Sequence, residues 1–135
     1  MKPSALDTKS NITKLFGIEP ISVGPEPGMV EIAYHPDHRM INPRGDVQGG
    51  IVAALLDNAM ARALAALNDG KVIAATVDMN VSFLRPVKPG RVTSKGRVIR
   101  QGRTIAFLEA ELFDTDGTLL ARGTSTGIPV EIGPA

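Results

Sequence analysis

Residues Gly49 to Leu67 read GGIVAALLDNAMARALAAL, and this stretch decides the fold. After its first two residues it is rich in alanine and leucine and holds no proline, which is strong helix material. Asn68-Asp69-Gly70 follows as a C-terminal stop. Nineteen residues at 1.5 Å each span about 28 Å, enough to cross much of a sheet face.

The chain around that helix reads as strands. Ile21 to Val23 and Met29 to Tyr34 flank a Pro/Gly-rich turn and form a hairpin. The polar loop HPDHRMINPRGDVQ then leads into the helix. Beyond the helix, β-branched residues and turn signals at Lys88-Pro89-Gly90, Gln101-Gly102-Arg103 and Asp114 to Gly117 describe four strands in hairpin order. No second helix interrupts them, so the expected class is α+β with an antiparallel sheet. From Val72 to Leu84 the alternation puts Ile73, Ala75, Val77, Met79, Val81 and Phe83 under the helix, and Thr76, Asp78, Asn80 and Ser82 on the opposite face. Ser4 to Phe16 reads as a short amphipathic helix, making residues 1–19 a helical extension to a single domain over 1–135.

Composition narrows the function. Hydrophobic residues at 43% and charged residues at 21% suit a packed core. A formal charge of +1 gives no global field for nucleic acid or an anionic membrane. The N-terminus lacks the apolar run of a secretory signal, and the continuous apolar stretch GGIVAALL is too short to cross a bilayer. Without cysteine, disulfides, thiolate metal sites and cysteine nucleophiles are excluded, and a reducing cytoplasm fits. Seven cations, Arg85, Lys88, Arg91, Lys95, Arg97, Arg100 and Arg103, occur with no acidic residue among them. They suit either a phosphorylated ligand or outward strand positions made basic for solubility.

Asp57 stands out in the helix. Its neighbours one turn away, Ala53, Ala54, Met60 and Ala61, are all apolar, and a carboxylate buried there without a partner would cost several kcal/mol. It either reaches a backbone amide or an exposed margin, or it is a partly desolvated carboxylate serving as nucleophile or general base. Asn58 and Arg62 form an i,i+4 polar pair that marks a solvated edge. At the helix start, Gly49 and Gly50 combine free N–H groups with the positive end of the helix dipole, where a polarised carbonyl would bind. Alternatively those glycines serve close helix-to-sheet packing. Eight residues separate Gly49 from Asp57, about 12 Å along the axis. If both serve one reacting carbonyl, the carboxylate must come from a second copy whose helix runs antiparallel, in a twofold dimer.

The runs NPRGDVQGGIVAALLDNAM, ATVDMNVSFLRPVKPG and QGRTIAFLEAELFDTDGTLLARGTST resemble the hotdog-fold acyl-CoA thioesterases of the phenylacetate-pathway type, within the 4-hydroxybenzoyl-CoA thioesterase superfamily. The resemblance runs from about Gly28 to Thr126. Members typically show an Asn, a loop Gly, a His-Gly-Gly turn and an Asp eight residues after its first Gly. Here these are Asn42, Gly45, Gln48-Gly49-Gly50 and Asp57.

The resemblance implies a long central helix wrapped by an antiparallel sheet of about six strands, in dimers and often tetramers. It implies hydrolysis of an acyl-CoA to free acid and coenzyme A, with coenzyme A as part of the substrate and no metal or further cofactor. The Gly49 amide would polarise the thioester carbonyl, Gly50 would help hold the substrate, and Asp57 of the other subunit would attack or activate water. Asn42 would support the loop or orient water, and Thr76 would hold the attacking water, which requires a bulge or a partner contact because alternation points Thr76 away from the helix. Arg85, Lys88, Arg100 and Arg103 would screen the coenzyme A phosphates. Gln48 departs from the usual His, and an amide does not titrate. That departure admits a non-catalytic acyl-CoA-binding or sensing dimer, and a hydratase on the same fold is a third reading, disfavoured because the helix has no histidine. His35 and His38 read as loop or surface residues.

Overall fold

The computed structural model describes residues 10–19 and 22–132. A central helix, α2 (Gly49–Leu67), has the expected bounds. Its stop is physical: Asp69 and Gly70 take φ values of 54° and 76°, and the Gly70 N–H returns to the Ala65 carbonyl at 2.8 Å. Although α2 is long and apolar enough to pass for a membrane span, nine of its residues are buried within the fold. Leu55, Leu56, Ala59, Met60, Ala63 and Leu64 are fully enclosed, and burying a leucine of this kind contributes about 1.5–3 kcal/mol.

The helix lies on one sheet of six strands: β1 (Ser22–Val23), β2 (Met29–Tyr34), β3 (Val72–Phe83), β4 (Val92–Gln101), β5 (Ala106–Phe113) and β6 (Leu119–Glu131). Every neighbouring pair is antiparallel, in the order β1-β2-β4-β5-β6-β3. One expected hairpin is therefore absent. β3 pairs with β6 and not with β4, so Lys88-Pro89-Gly90 is part of a crossing segment. Pro86 and Pro89 remove two ladder donors, and the Val87 carbonyl accepts the Val47 N–H at 2.7 Å. Residues 84–91 are thus fastened over the start of α2 as they run from the sheet edge to its centre.

Gly96 on β4 sets how closely helix and sheet approach. A Cβ there would sit 2.5 Å from the Ala59 carbonyl oxygen of α2. No side chain fits between the two backbones.

The alternation expected for β3 holds only in its second half. The pairing shifts between Thr76 and Asp78, leaving Val77 as the extra residue of a bulge. Before the bulge Val72 and Ala74 pack on the core; after it Met79 and Val81 do. Ile73, Ala75 and Val77 face outward and are exposed, and Thr76 turns inward toward α2.

The N-terminal helix α1 (Asn11–Leu15) is capped by Ser10, whose side chain accepts the Thr13 N–H. The earlier part of the helix expected from Ser4, and the expected strand start at Ile21, lie outside the described residues. Phe16 packs edge-on against Tyr34 with centroids 6.3 Å apart. Arg62 forms the expected pair with Asn58, its Nε donating to Asn58 Oδ1 at 3.0 Å. The pair is no solvated edge, however: Arg62 is buried, its Nη2 donates to Thr13 of α1 at 3.2 Å, and the Tyr34 hydroxyl donates to Asn58 Oδ1 at 2.9 Å. Packing of α1 over this side of α2 removes it from water.

Candidate active site

Asp57 lies half-buried on α2 facing the edge strand β3. The bulge delivers its partner: the Thr76 hydroxyl donates to Asp57 Oδ1 at 2.7 Å. A hydroxyl bonded to one carboxylate oxygen fixes the side-chain rotamer and leaves the other oxygen for chemistry.

The opposite end of the motif surrounds the first turn of α2. The Gln48 carbonyl accepts from Ile51 and Val52 at 2.9 and 3.2 Å, and its side-chain oxygen accepts the Gly50 N–H at 2.7 Å. The Gly49 N–H has no hydrogen-bond partner among the described residues. Gln48 therefore caps the helix, consumes the Gly50 donor, and leaves the Gly49 amide at the positive end of the dipole. Gly49 is not needed for packing, because a Cβ there would meet only the Phe83 ring at 3.6 Å, an ordinary contact.

Asn42 organises the preceding loop. Its side-chain oxygen accepts the N–H groups of Arg44 (2.9 Å) and Asp46 (3.2 Å), and its carbonyl accepts the Gly45 N–H at 2.9 Å. Gly45 sits at φ 86°, which an L side chain rarely adopts. An isolated bridge between Ile41 and Val47 closes the loop. Asn42, Arg44, Gly49, Phe83 and Arg85 all line a cavity of about 280 Å³.

The structure brings Asn42, Gln48, Gly49 and Gly50 together at one end of α2, and Asp57 with Thr76 about two turns further on. It does not unite the two groups within one chain. The basic residues divide as well. Arg85 lines the cavity, whereas Lys88 is engaged by the carboxylate of Asp46. Arg100 lies near the end of β4 and Arg103 in the β4–β5 turn, and Arg100 shares a row with Phe107, Thr126 and Asp78. That row is roughly 20 Å from Arg85 at the standard strand rise. Arg91 pairs with Glu19 and Arg97 with Glu109. His35 is an exposed partner of Glu19 at 2.8 Å, and His38 is exposed in a 3-10 turn (His38–Met40). The Arg91 and His35 hydrogen bonds, in that order, hold the Glu19 carboxyl below its ordinary range.

Sequence reasoning missed Arg44 and Asp46. Asp46 is a buried carboxylate between Lys88 and Arg44, and its only signal was its place between the loop glycine and the Gln-Gly-Gly turn. Phe83 was read as core but leans over Gly49.

A helix laid on one antiparallel sheet thus carries an amide at its tip that is unbonded among the described residues, and a hydrogen-bonded carboxylate at its middle. Residues 44–121 match the thioesterase superfamily, and the chain belongs to that family. It is a thioesterase with the hotdog fold. It is 30% identical over 125 residues to human acyl-coenzyme A thioesterase 13, covering 90% of this chain and 87% of that protein. Among solved structures it resembles a phenylacetic acid degradation-related protein from Ralstonia eutropha, at 33% identity and TM-score 0.79, covering 91% of this chain and 93% of the other. The PaaI protein of the E. coli phenylacetic acid degradation operon shares the fold at 22% identity and TM-score 0.81, covering 98% and 91% of the two chains.

Proposed function

We propose that this thioesterase hydrolyses acyl-CoA to free acid and coenzyme A at sites shared between two copies of the chain. The observation that carries the reading is the Thr76–Asp57 hydrogen bond at the bulge, set against a Gly49 amide that has no partner among the described residues and lies about 12 Å away along the helix. One carbonyl cannot meet both within a chain. An antiparallel second copy brings the partner's Asp57 to the first copy's Gly49.

The edge strand supports such a dimer. β3 is twelve residues long, ends the sheet, and exposes Val77 and Phe83, at 60% and 56%. A long apolar edge left open invites pairing with a like strand. On the outer sheet face Ile73, Ile99, Phe107, Ile128 and Val130 are also exposed, and back-to-back packing of two dimers would cover them in a tetramer.

In this site the Gly49 N–H donates to the thioester oxygen, stabilising the negative charge that grows there. Asp57 either takes a proton from water as that water adds to the carbonyl carbon, or attacks the carbon itself to give an anhydride that water then cleaves. Collapse of the tetrahedral centre expels the thiolate, which is protonated to the free thiol. Thr76 orients the carboxylate, and Asn42 holds the loop. Gln48 has its oxygen committed to the cap, so its NH2 group can donate but supplies no titrating proton. Water is the one co-reactant, and coenzyme A enters with the substrate.

Thiol release from an acyl-CoA panel is the first test: Asp57→Asn should lower kcat by orders of magnitude while the oligomer persists, and near-normal turnover removes Asp57 from the mechanism. Gly49→Pro deletes the amide at a helix position that tolerates proline. Both variants should be inactive alone, yet co-refolded in equal amounts they should regain about a quarter of wild-type activity through one intact site per mixed dimer. No recovery would place the site within one chain.

A further inference from the structure

A carboxylate close to an oxyanion-binding amide works against the reaction, because it repels the negative charge that the amide must stabilise. Asp46 is such a carboxylate. We propose that Lys88, held over it from the crossing segment, serves hydrolysis as its counter-charge, so that the Gly49 amide faces a neutralised wall. This inference rests on the role given to Gly49 above and adds a positioning residue that touches no substrate.

Asp46 precedes Gly49 by three residues, and both line the same cavity, where Asp46 is the one carboxylate among the described lining residues. The loop fixes its place. Its N–H donates to Asn42 Oδ1 at 3.2 Å, its carbonyl accepts the Asn42 N–H at 2.7 Å, and the Ile41–Val47 bridge closes the turn. The residue is 8% exposed, so water screens its charge poorly. Backbone brings Lys88 to it: Pro89 confines Lys88 to extended conformations, the Val87 carbonyl accepts the Val47 N–H at 2.7 Å, and the Gly90 N–H donates to the Pro36 carbonyl at 3.0 Å. The Lys88 ammonium then donates to Asp46 Oδ1.

The neighbouring cations do not take that place. Arg44 Nε lies 3.9 Å from Asp46 Oδ2, too far for a hydrogen bond, and its side chain is 82% exposed. Arg85 turns its Nη1 to the Leu119 carbonyl at 3.3 Å. Lys88 is therefore the one side chain that donates a hydrogen bond to the Asp46 carboxylate among the described residues. The cavity of about 280 Å³ equals a sphere roughly 8 Å across, and over that distance an unneutralised unit charge in an effective dielectric of about 20 slows oxyanion formation about ten- to thirtyfold.

The test measures kcat and KM for an acyl-CoA and for the matching S-acyl-N-acetylcysteamine, a thioester without phosphates. Lys88→Met should lower kcat about ten- to thirtyfold on both substrates with KM within about threefold, and Lys88→Arg should keep most of the wild-type kcat. Adding Asp46→Asn to Lys88→Met should recover most of the loss, since no carboxylate then needs a partner. An unchanged kcat in Lys88→Met, or a loss that Asp46→Asn fails to recover, overturns the counter-charge. A KM rise confined to acyl-CoA with kcat intact also overturns it, because Lys88 would then be acting on the substrate's phosphates. Should wild type hydrolyse the short thioester alone, the acyl-CoA reading fails by itself, and kcat on that thioester still decides the role of Lys88. Should it hydrolyse neither, urea unfolding decides: the midpoint should fall in Lys88→Met, which leaves a buried carboxylate unpaired, and return in the double variant. Equal midpoints in the two variants overturn the inference.

Discussion

Replacing Gly96 by alanine tests which glycine serves packing and which serves the site. The added methyl carbon would lie 2.5 Å from the Ala59 oxygen, 2.9 Å from the Ala59 carbonyl carbon and 3.3 Å from Val30 Cγ2. Ordinary contact begins near 3.4 Å, so helix and strand must separate by close to 0.9 Å, taking 3.4 less 2.5. Neither neighbour yields easily, because the carbonyl belongs to fully buried helix backbone and Val30 is itself core. Overpacking of this kind costs about 1–3 kcal/mol, offset by up to about 1 kcal/mol from the lost flexibility of glycine in the unfolded chain. A net loss of about 1–2 kcal/mol lowers Tm by roughly 3–10 °C for a chain of this size. Because α2 carries both Gly49 and Asp57, its displacement should also lower kcat, by as much as about a hundredfold for a 1 Å misplacement. Gly49→Ala is the control: its methyl meets Phe83 at 3.6 Å, so stability should hold within about 0.5 kcal/mol or improve slightly. Urea unfolding at fixed protein concentration, with matched thiol-release assays, gives both readings. A Gly96→Ala protein as stable as wild type, or a Gly49→Ala protein that loses more, would refute the division of labour between the two glycines.

Two other perturbations probe the same framework. Thr76→Val keeps the volume and deletes the hydroxyl, so kcat should fall about ten- to a hundredfold, the worth of one hydrogen bond to a charged group, whereas Thr76→Ser should recover most of the loss; equal activity of the valine variant and wild type would show that the Asp57 contact is idle. Tyr34 is the chain's one tyrosine, and burial pushes its phenol well above the ordinary range, with Arg62 opposing and Asp57 adding to the shift. Since the folded value exceeds the unfolded value near 10, the stability tied to neutral Tyr34 is full below about pH 10 and is lost as pH rises beyond it. Phenolate absorbance at 295 nm should therefore emerge together with loss of helical circular dichroism, and a phenolate forming near pH 10 in folded protein would contradict the burial.

The helix bounds were legible because Ala/Leu propensity, absence of proline and the Asn68-Asp69-Gly70 stop all agree, and the structure places φ 54° and 76° at the last two. The loop from Asn42 to Gly50 was legible as a spacing, though not as a set of bonds: nothing in the letters shows that Gln48 would spend its oxygen on Gly50, or that Lys88 would close on Asp46. The pairing of β3 with β6 was hidden because turn signals at residues 88–90 look the same in a hairpin and in a crossing segment.

β3 shows why pattern reading stops where it does. Its first half, Val-Ile-Ala-Ala-Thr-Val, is apolar on both faces, since Ile73 and Val77 are exposed on the outside while Val72 and Ala74 pack within. Only the role that the resemblance gives Thr76 called for a bulge or a partner contact. A period of two cannot choose the inward row when both rows are apolar, so the alternation alone does not locate the extra residue at Val77. That one residue inverts the side chains before it relative to those after it. The inversion turns Thr76 toward Asp57 without moving Met79 and Val81 from the core. A regular strand would have kept the expected alternation and left the carboxylate of α2 without its hydroxyl. The departure from the regular pattern is therefore the place where fold and chemistry meet: the bulge spends one ladder position at the sheet edge to aim a hydroxyl at the residue proposed to carry the reaction.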